Sequence, residues 1–370
     1  MSDASPNQTE PSHGEPRQVG PSRGELTQGK PSQGKPGLGK PSQGKPSQGE
    51  SSQAEPPQPE PSVTVCLCTH NRPAYARDCL AGLLRQTVER DRFGILVIDS
   101  GSPAAAGAEL AGIVAACPGA RLIMLAQSGV SLARNAGAHA VGTGYIAYID
   151  DDAIPEPEWV ASIIAAIKQA PRPPAVLGGR ILPLWESPLP GWWPDSLRGV
   201  LSIIETEGRG EYRTADLPAS LEPYGANITM HVPALLAMGG FGTTVGRHGD
   251  VLLSDEEVQL AWRMQDAGYS ARYDSSVVVH HRIQPLRLTP AWLLSRLYWQ
   301  GVSTVLSRRL LGHPGAVWRE LPRRLLVALT CAPAGLCRRD SPDWIGWRWR
   351  LAYARGFIRA AFHWRLNLEG

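Results

Sequence analysis

The chain has 370 residues, a formal net charge of +3, a hydrophobic content of 42% and six cysteines. That length holds one large domain or two smaller ones with a sizeable core. The chain shows no apolar secretory leader, no CxxC or zinc-like Cys/His spacing, and no run near the roughly 20 apolar residues of a spanning helix.

Residues 11–60 repeat a five-residue unit typified by PSQGK and PSQGE. The units carry almost no apolar side chains, so nothing offsets the entropy of ordering them. Residues 1–60 are therefore expected to be a disordered, Pro/Gly/Ser/Gln-rich tail. Order is expected from Ser62. Residues 63–68 form a β-rich apolar run that ends in Thr69-His70-Asn71-Arg72-Pro73, and a helix follows over 75–86. Strands are predicted at 94–98, 121–125 and 145–149, with helices at 109–116, 131–140 and 159–170 between and after them. A strand at 176–179 leads into a Pro/Trp-rich loop at 182–198. Its Trp185, Trp192 and Trp193 suit either stacking on a ligand or apolar packing. A helix over 255–267 that leads through Gly268 to residues 269–273, a strand at 277–279, and helices from Pro290 onward complete the pattern. Strands alternating with helices at this spacing predict a mostly parallel sheet that binds ligands at its carboxyl ends. The expected divisions are the tail at 1–60, a catalytic domain at 61–285, and a basic, Trp-rich helical region at 286–370.

Four clusters could carry chemistry. Asp150-Asp151-Asp152 follow an apolar strand directly. Three adjacent carboxylates repel one another, which raises their pKa values or demands a cation. Hard oxygen ligands of this kind suit Mg2+ or Mn2+ held together with a diphosphate. The alternative is a helix N-cap with solvated acids. Ser254-Asp255-Glu256-Glu257 opens a helix and reads as a capping box, as a source of a general base, or as both. Residues 127–137 lead a Gly-bearing loop into a helix whose first turns carry Arg134 and Asn135. This suits phosphate contact, or an ordinary helix with a surface arginine. His280-His281 at a strand end could complete a metal shell through His280, or be structural. Taken together, these parts describe displacement at an anomeric carbon. A cation and Arg134 neutralise a leaving diphosphate while a carboxylate takes the acceptor's proton.

The segments VCLCTHNRP (65–73), IDSGS (98–102), SGVSLARNAG (128–137), YIAYIDDDAIPEPEW (145–159) and SDEEVQLAWRMQDAGY (254–269) occur in the order seen in family-2 glycosyltransferases. GANITM (225–230) and GGF (239–241) resemble that family's acceptor-side segment. The resemblance covers residues 62–301. It implies a GT-A, Rossmann-like α/β fold and an inverting transfer from a nucleotide-diphosphate sugar (UDP-, dTDP- or GDP-linked). It also implies a DxD-type metal site at Asp150 and Asp152, with Asp152 as the direct ligand. Donor contacts are implied for Thr69, Asn71, Arg72, Asp99, Arg134 and Asp151. Glu257 matches the family's base, with Glu256 and Asp255 as its neighbours. Two departures stand out. Many members carry a second acid where this chain has Ser100, and the QxxRW motif of processive synthases is absent. Transfer of one or a few sugars to a glycan or lipid-linked acceptor is therefore expected.

From Arg308 onward twelve arginines face four acids, and Trp residues are interleaved with them. Residues 345–364 read as an interfacial helix on anionic lipid, or as a helical lid with its tryptophans packed inward. Nucleic-acid binding is not expected, because no recognised module accompanies the charge. The expected location is cytoplasmic, peripheral on the inner face of the cell membrane. Two other readings are weaker. A nucleotidyltransferase would need a Gly-rich loop after the first strand, and a non-catalytic binding subunit would not need Asp150, Asp152 and Glu257.

Overall fold

A computed structural model describes residues 62–142, 144–243, 252–331 and 342–363. The repeat tail at 1–60 lies outside the described residues. The chain builds one mixed sheet in which β1 (Val63–Thr69) lies third from one edge. On one side β1 pairs in parallel with β2 (Phe93–Ser100), which pairs in parallel with β3 (Ala120–Leu125). On the other side it pairs in parallel with β4 (Tyr145–Asp150). Buried β-branched and aliphatic residues fill β1, β2 and β4, as expected of strands covered on both faces. The helices α1 (Pro73–Leu83), α2 (Ala104–Ala115) and α3 (Val130–Val141) make the crossovers. Pro73 starts α1 at a position where its missing N–H costs nothing.

The register aligns Thr69 with Asp99, and Cys68 with Asp150. The strand order reverses at β1, so the connections leaving β1 and β4 run in opposite directions along the sheet and leave a crevice outside their paired carboxyl ends. Beyond β4 come the short β5 (Ala153–Pro155), α4 (Trp159–Gln169) and β6 (Val176–Trp185). They are followed by β7 (Arg209–Glu211), β8 (Ile228–His231), α5 (Val232–Ala237), α6 (Glu256–Asp266) and β9 (Ala271–Ile283). β8 runs antiparallel between β4 and β6, while β6 and β9 are parallel. β5 and β7 each pair antiparallel with β9. The strand predicted at 277–279 is thus part of a longer one that begins at Ala271, with a register shift against Gly179 and Arg180. Asn227 fills that irregularity. Its amide nitrogen donates to Arg180 O and Val277 O, each at 2.8 Å, and its oxygen accepts from Trp159 Nε1 at 2.9 Å.

Three helices follow: α7 (Pro290–Leu310), α8 (Pro314–Cys331) and α9 (Pro342–Phe362). α7 and α9 pack almost backbone to backbone. A Cβ added at Gly301 would lie 2.2 Å from Tyr353 O, and one at Gly356 would lie 1.9 Å from Tyr298 O. α9 buries Ile345, Ala354, Phe357, Ala360 and Ala361, while Trp344 and Trp349 are partly buried and Trp347 is 42% exposed. The loop tryptophans also pack inward. Trp193 is buried with Leu197, Leu293 and Leu297, and Trp185 and Trp192 lean on that cluster. No helix among the described residues is long and apolar enough to cross a membrane. Cys66, Cys68, Cys79, Cys117 and Cys331 are free thiols.

Candidate active site

A cavity of about 530 Å3 opens at the carboxyl ends of β1 and β4. Thr69, Arg72, Ser100, Arg134 and the three aspartates line one part of it, and Glu222, Tyr224, Glu257, Arg296 and Gln300 line another. The aspartates differ sharply. Asp152 is 2% exposed and ringed by donors, Arg287 Nη2 at 2.7 Å and Arg72 Nη1 and Gln284 Nε2 at 3.1 Å, with His281 Nε2 at 3.3 Å. Burial pushes its carboxyl up, but His281, Arg287 and Arg72 outweigh it and hold Asp152 well below the usual carboxylate range. Asp151 is 1% exposed. It accepts from Thr69 Oγ1 at 2.7 Å, and its Oδ1 lies 3.0 Å from Arg72 Nη2, close enough for an ion pair though not aligned as a hydrogen bond. Burial pushes Asp151 up to about 7 against the pull of Arg72. Asp150 is the open one, with 35% of its side chain exposed and Oδ1 3.4 Å from Arg134 Nη2.

The repulsion among the three acids is therefore answered largely within the protein, by Arg72, Arg134, Arg287 and His281. This alters the expectation that Asp152 is the direct metal ligand, because its oxygens are already engaged and Asp150 is the carboxylate with free reach. His280 does not join the cluster. Neighbouring residues of a strand face opposite ways, so His281 meets Asp152 while His280 pairs with Glu156 at 3.0 Å. No trio of His, Cys, Asp or Glu among the described residues is arranged to hold a metal by itself.

Arg134 is 3% exposed, and it organises the site instead of presenting a free guanidinium. Nη1 lies 3.0 Å from Glu256 Oε1 and 3.9 Å from Glu257 Oε2, and the guanidinium packs over the Phe241 ring. A Cβ at Gly225 would fall 1.8 Å from Arg134 Nη2, so that glycine makes room for the arginine. The three acids at the start of α6 have separate roles. Asp255 holds a left-handed conformation (φ 77°), which is strained for a residue with a Cβ. Its carboxylate accepts from Gln300 Nε2 at 3.0 and 3.1 Å and from Ser254 Oγ at 2.7 Å. Burial raises its pKa, although Gln300, Ser254 and Arg296 oppose the rise. No capping box forms, since no side chain caps α6. Glu256 is engaged by Arg134. Glu257 accepts from Gly225 N at 2.9 Å through Oε1, while Oε2 has no hydrogen-bond partner.

Asp99 is 1% exposed and does not line the cavity; it accepts from the Ser102 hydroxyl and, at 3.3 Å, from Ser102 N, so it shapes the turn after β2. Asn71 likewise turns the chain, with φ 53° and its N–H donating to Ser102 Oγ at 2.7 Å. Glu222, Arg287, Arg296 and Gln300 were not singled out from the sequence. They belong to no local motif, and the fold brings them to the cavity from a loop and from the approach to and body of α7.

Residues 64–188 match the family model described as glycosyl transferase family 2. A glucosyl-dolichyl phosphate glucuronosyltransferase of Haloferax volcanii is 32% identical over 177 residues, which is 47% of this chain and 54% of that one. A pre-mycofactocin glycosyltransferase of Mycobacterium tuberculosis is 28% identical over 242 residues, covering 64% of this chain and 47% of the other. The chain thus spans about half the length of these curated relatives. A Pyrobaculum calidifontis mannosyltransferase, solved with GDP-Man and Mn2+, superposes with a TM-score of 0.54 at 18% identity over 84% of this chain and 89% of its own. The matched segment, the ordered motifs and a crevice at the carboxyl ends of β1 and β4 together identify residues 64–188 as similar to the family-2 glycosyltransferases, on a GT-A fold.

Proposed function

We propose that the chain transfers a sugar from a nucleotide-diphosphate donor to an acceptor hydroxyl, with inversion at the anomeric carbon. The observation that carries this reading is the pairing, around one buried guanidinium, of an open carboxylate with one whose Oε2 accepts no hydrogen bond. Asp150 lies on one side of Arg134 and Glu257 Oε2 on the other. In the reaction the acceptor oxygen bonds to the anomeric carbon, the bond from that carbon to the diphosphate oxygen breaks, and the acceptor's proton passes to Glu257 Oε2. Asp255 and Glu256 cannot serve as well, because Gln300 and Arg134 hold their carboxylates. Arg134 keeps Glu257 oriented and places positive charge near the developing negative one.

The donor set fits Mg2+ or Mn2+ in the mode where one or two carboxylates and the substrate's phosphates share the ion. Asp150 is the residue that would hold it. A cation bound there neutralises the leaving diphosphate. The reading of a lipid-linked acceptor draws support from the Haloferax relative, whose name includes dolichyl phosphate. A panel of UDP-, dTDP- and GDP-sugars tests the reading by thermal shift with and without Mn2+, followed by NMR of the product anomer. A shift with one nucleotide class and an inverted product are expected. No shift with any donor would overturn it.

A further inference from the structure

α8 buries Val317, Leu321 and Cys331, and packs on α7 and α9. Its outer side carries apolar residues that stay exposed among the described residues. Trp318 is 51% exposed, Leu325 41%, Leu326 61% and Leu329 74%. Their spacing along the helix puts them in one stripe at helical period. Trp318 meets Phe362 edge to face at 5.9 Å, which extends the patch to the end of α9. Arg319 and Arg323 are exposed on the same helix. The acid of α8, Glu320, is bound by Arg308 and Arg324. The outer side of α8 therefore combines leucines, a tryptophan and two arginines with no free acid.

We infer that this face of α8 docks on an anionic lipid bilayer. Leucine and tryptophan enter the boundary between headgroups and acyl chains, and arginines bind lipid phosphate. A second copy of the chain fits less well. Isologous pairing would bring Arg319 and Arg323 against their own kind, and the stripe is small beside the roughly 20–30 residues per side of a standard interface. α9, one of whose two sequence readings is the lipid-facing helix, buries Ile345, Ala354, Phe357, Ala360 and Ala361 and leaves only Trp347 and Phe362 of its large apolar side chains exposed among the described residues. The docking face stands independently of the transfer reaction, and only its use in meeting a lipid-linked acceptor rests on the function proposed above. For that use the placement is apt. α7, which packs on α8, sends Arg296 and Gln300 into the cavity, so a docked α8 lies one helix away from the cavity wall.

The test is co-sedimentation of the full chain with vesicles of phosphatidylcholine alone and of phosphatidylcholine with one third phosphatidylglycerol. Binding to the anionic vesicles is expected, weakened by salt. The double variant Leu326→Asp, Leu329→Asp should lower partitioning by at least about tenfold with an unchanged urea midpoint. Arg319→Glu with Arg323→Glu should abolish the preference for anionic vesicles. Absence of binding to anionic vesicles, or equal binding by the double aspartate variant, would overturn the inference. Self-association in the ultracentrifuge that the double aspartate variant removes would also overturn it and assign the face to a dimer. The donor-induced thermal shift, read on the same proteins, separates a failure of this inference from a failure of the proposed reaction.

Discussion

Glu222 is a sharp place to test the electrostatics of the cavity. Burial, with Asp255 and Glu257 nearby, pushes its carboxyl from the ordinary 4.5 up to about 7. The folded protein therefore keeps this proton to higher pH than the unfolded chain does. Stability contributed by the protonated form is present at low pH and is lost as pH rises from about 4.5 to about 7, after which the cost is constant. At about 1.4 kcal/mol per pH unit, that cost is about 3 kcal/mol for the ionised group. Glu222→Gln removes the charge and keeps the shape. Urea unfolding of both proteins should therefore show similar stability near pH 4.5, with the variant ahead by about 3 kcal/mol near pH 8. Because the other titrating groups are shared, their contributions largely cancel in the difference. A difference that stays flat across that range would refute the reasoning, and would mean that Glu222 reaches water or a compensating donor.

Asp150 and Asp152 should part company. Asp150→Asn is expected to leave the urea midpoint unchanged and to abolish the Mn2+-dependent part of a donor-induced thermal shift. Asp152→Ala strands Arg287 and His281 and should cost about 3–5 kcal/mol in unfolding free energy. Glu257→Gln should lower kcat by about 10^2–10^4 while leaving the donor-induced shift intact; single-turnover kinetics with saturating donor reads this. Gly356→Val drives a side chain into Tyr298 O and should cost about 1–3 kcal/mol. In that variant kcat should fall along with the anchoring of Asp255 by Gln300, which a comparison at fixed folded fraction would detect.

The parallel half of the sheet was legible because each of its strands is a short apolar run closed by polar punctuation, and the triple aspartate falls at the end of one of them. The antiparallel half was harder to read. β8 is only four residues long, and β9 hides its continuity behind Asp274-Ser275-Ser276, which reads as a turn but is a shift of register plugged by Asn227. Within the site, sequence order located the acids but could not rank them. What separates Asp150 from Asp152, or Glu257 from Glu256, is which guanidinium reaches each carboxylate. Those guanidiniums come from positions as distant as Arg72, Arg134 and Arg287. The tryptophans at 185, 192 and 193 gave an ambiguous signal because aromatic residues serve both ligand stacking and packing, and here they pack.

The near-contact of α7 and α9 also bears on how the protein is made. The strained turn at Asp255 depends on Gln300, which sits on α7, and α7 is clasped through Gly301 and Gly356 by a helix that starts only at Pro342. During synthesis the parallel strands can pair as they emerge, but the contacts of Asp152 wait for His281 and Arg287, and the anchoring of Asp255 waits for α7 and its clasp by α9. The sugar transfer proposed above would then be withheld from nascent chains, and a ribosome stalled between α7 and α9 would release a paired sheet whose cavity wall at Asp255 is unfinished.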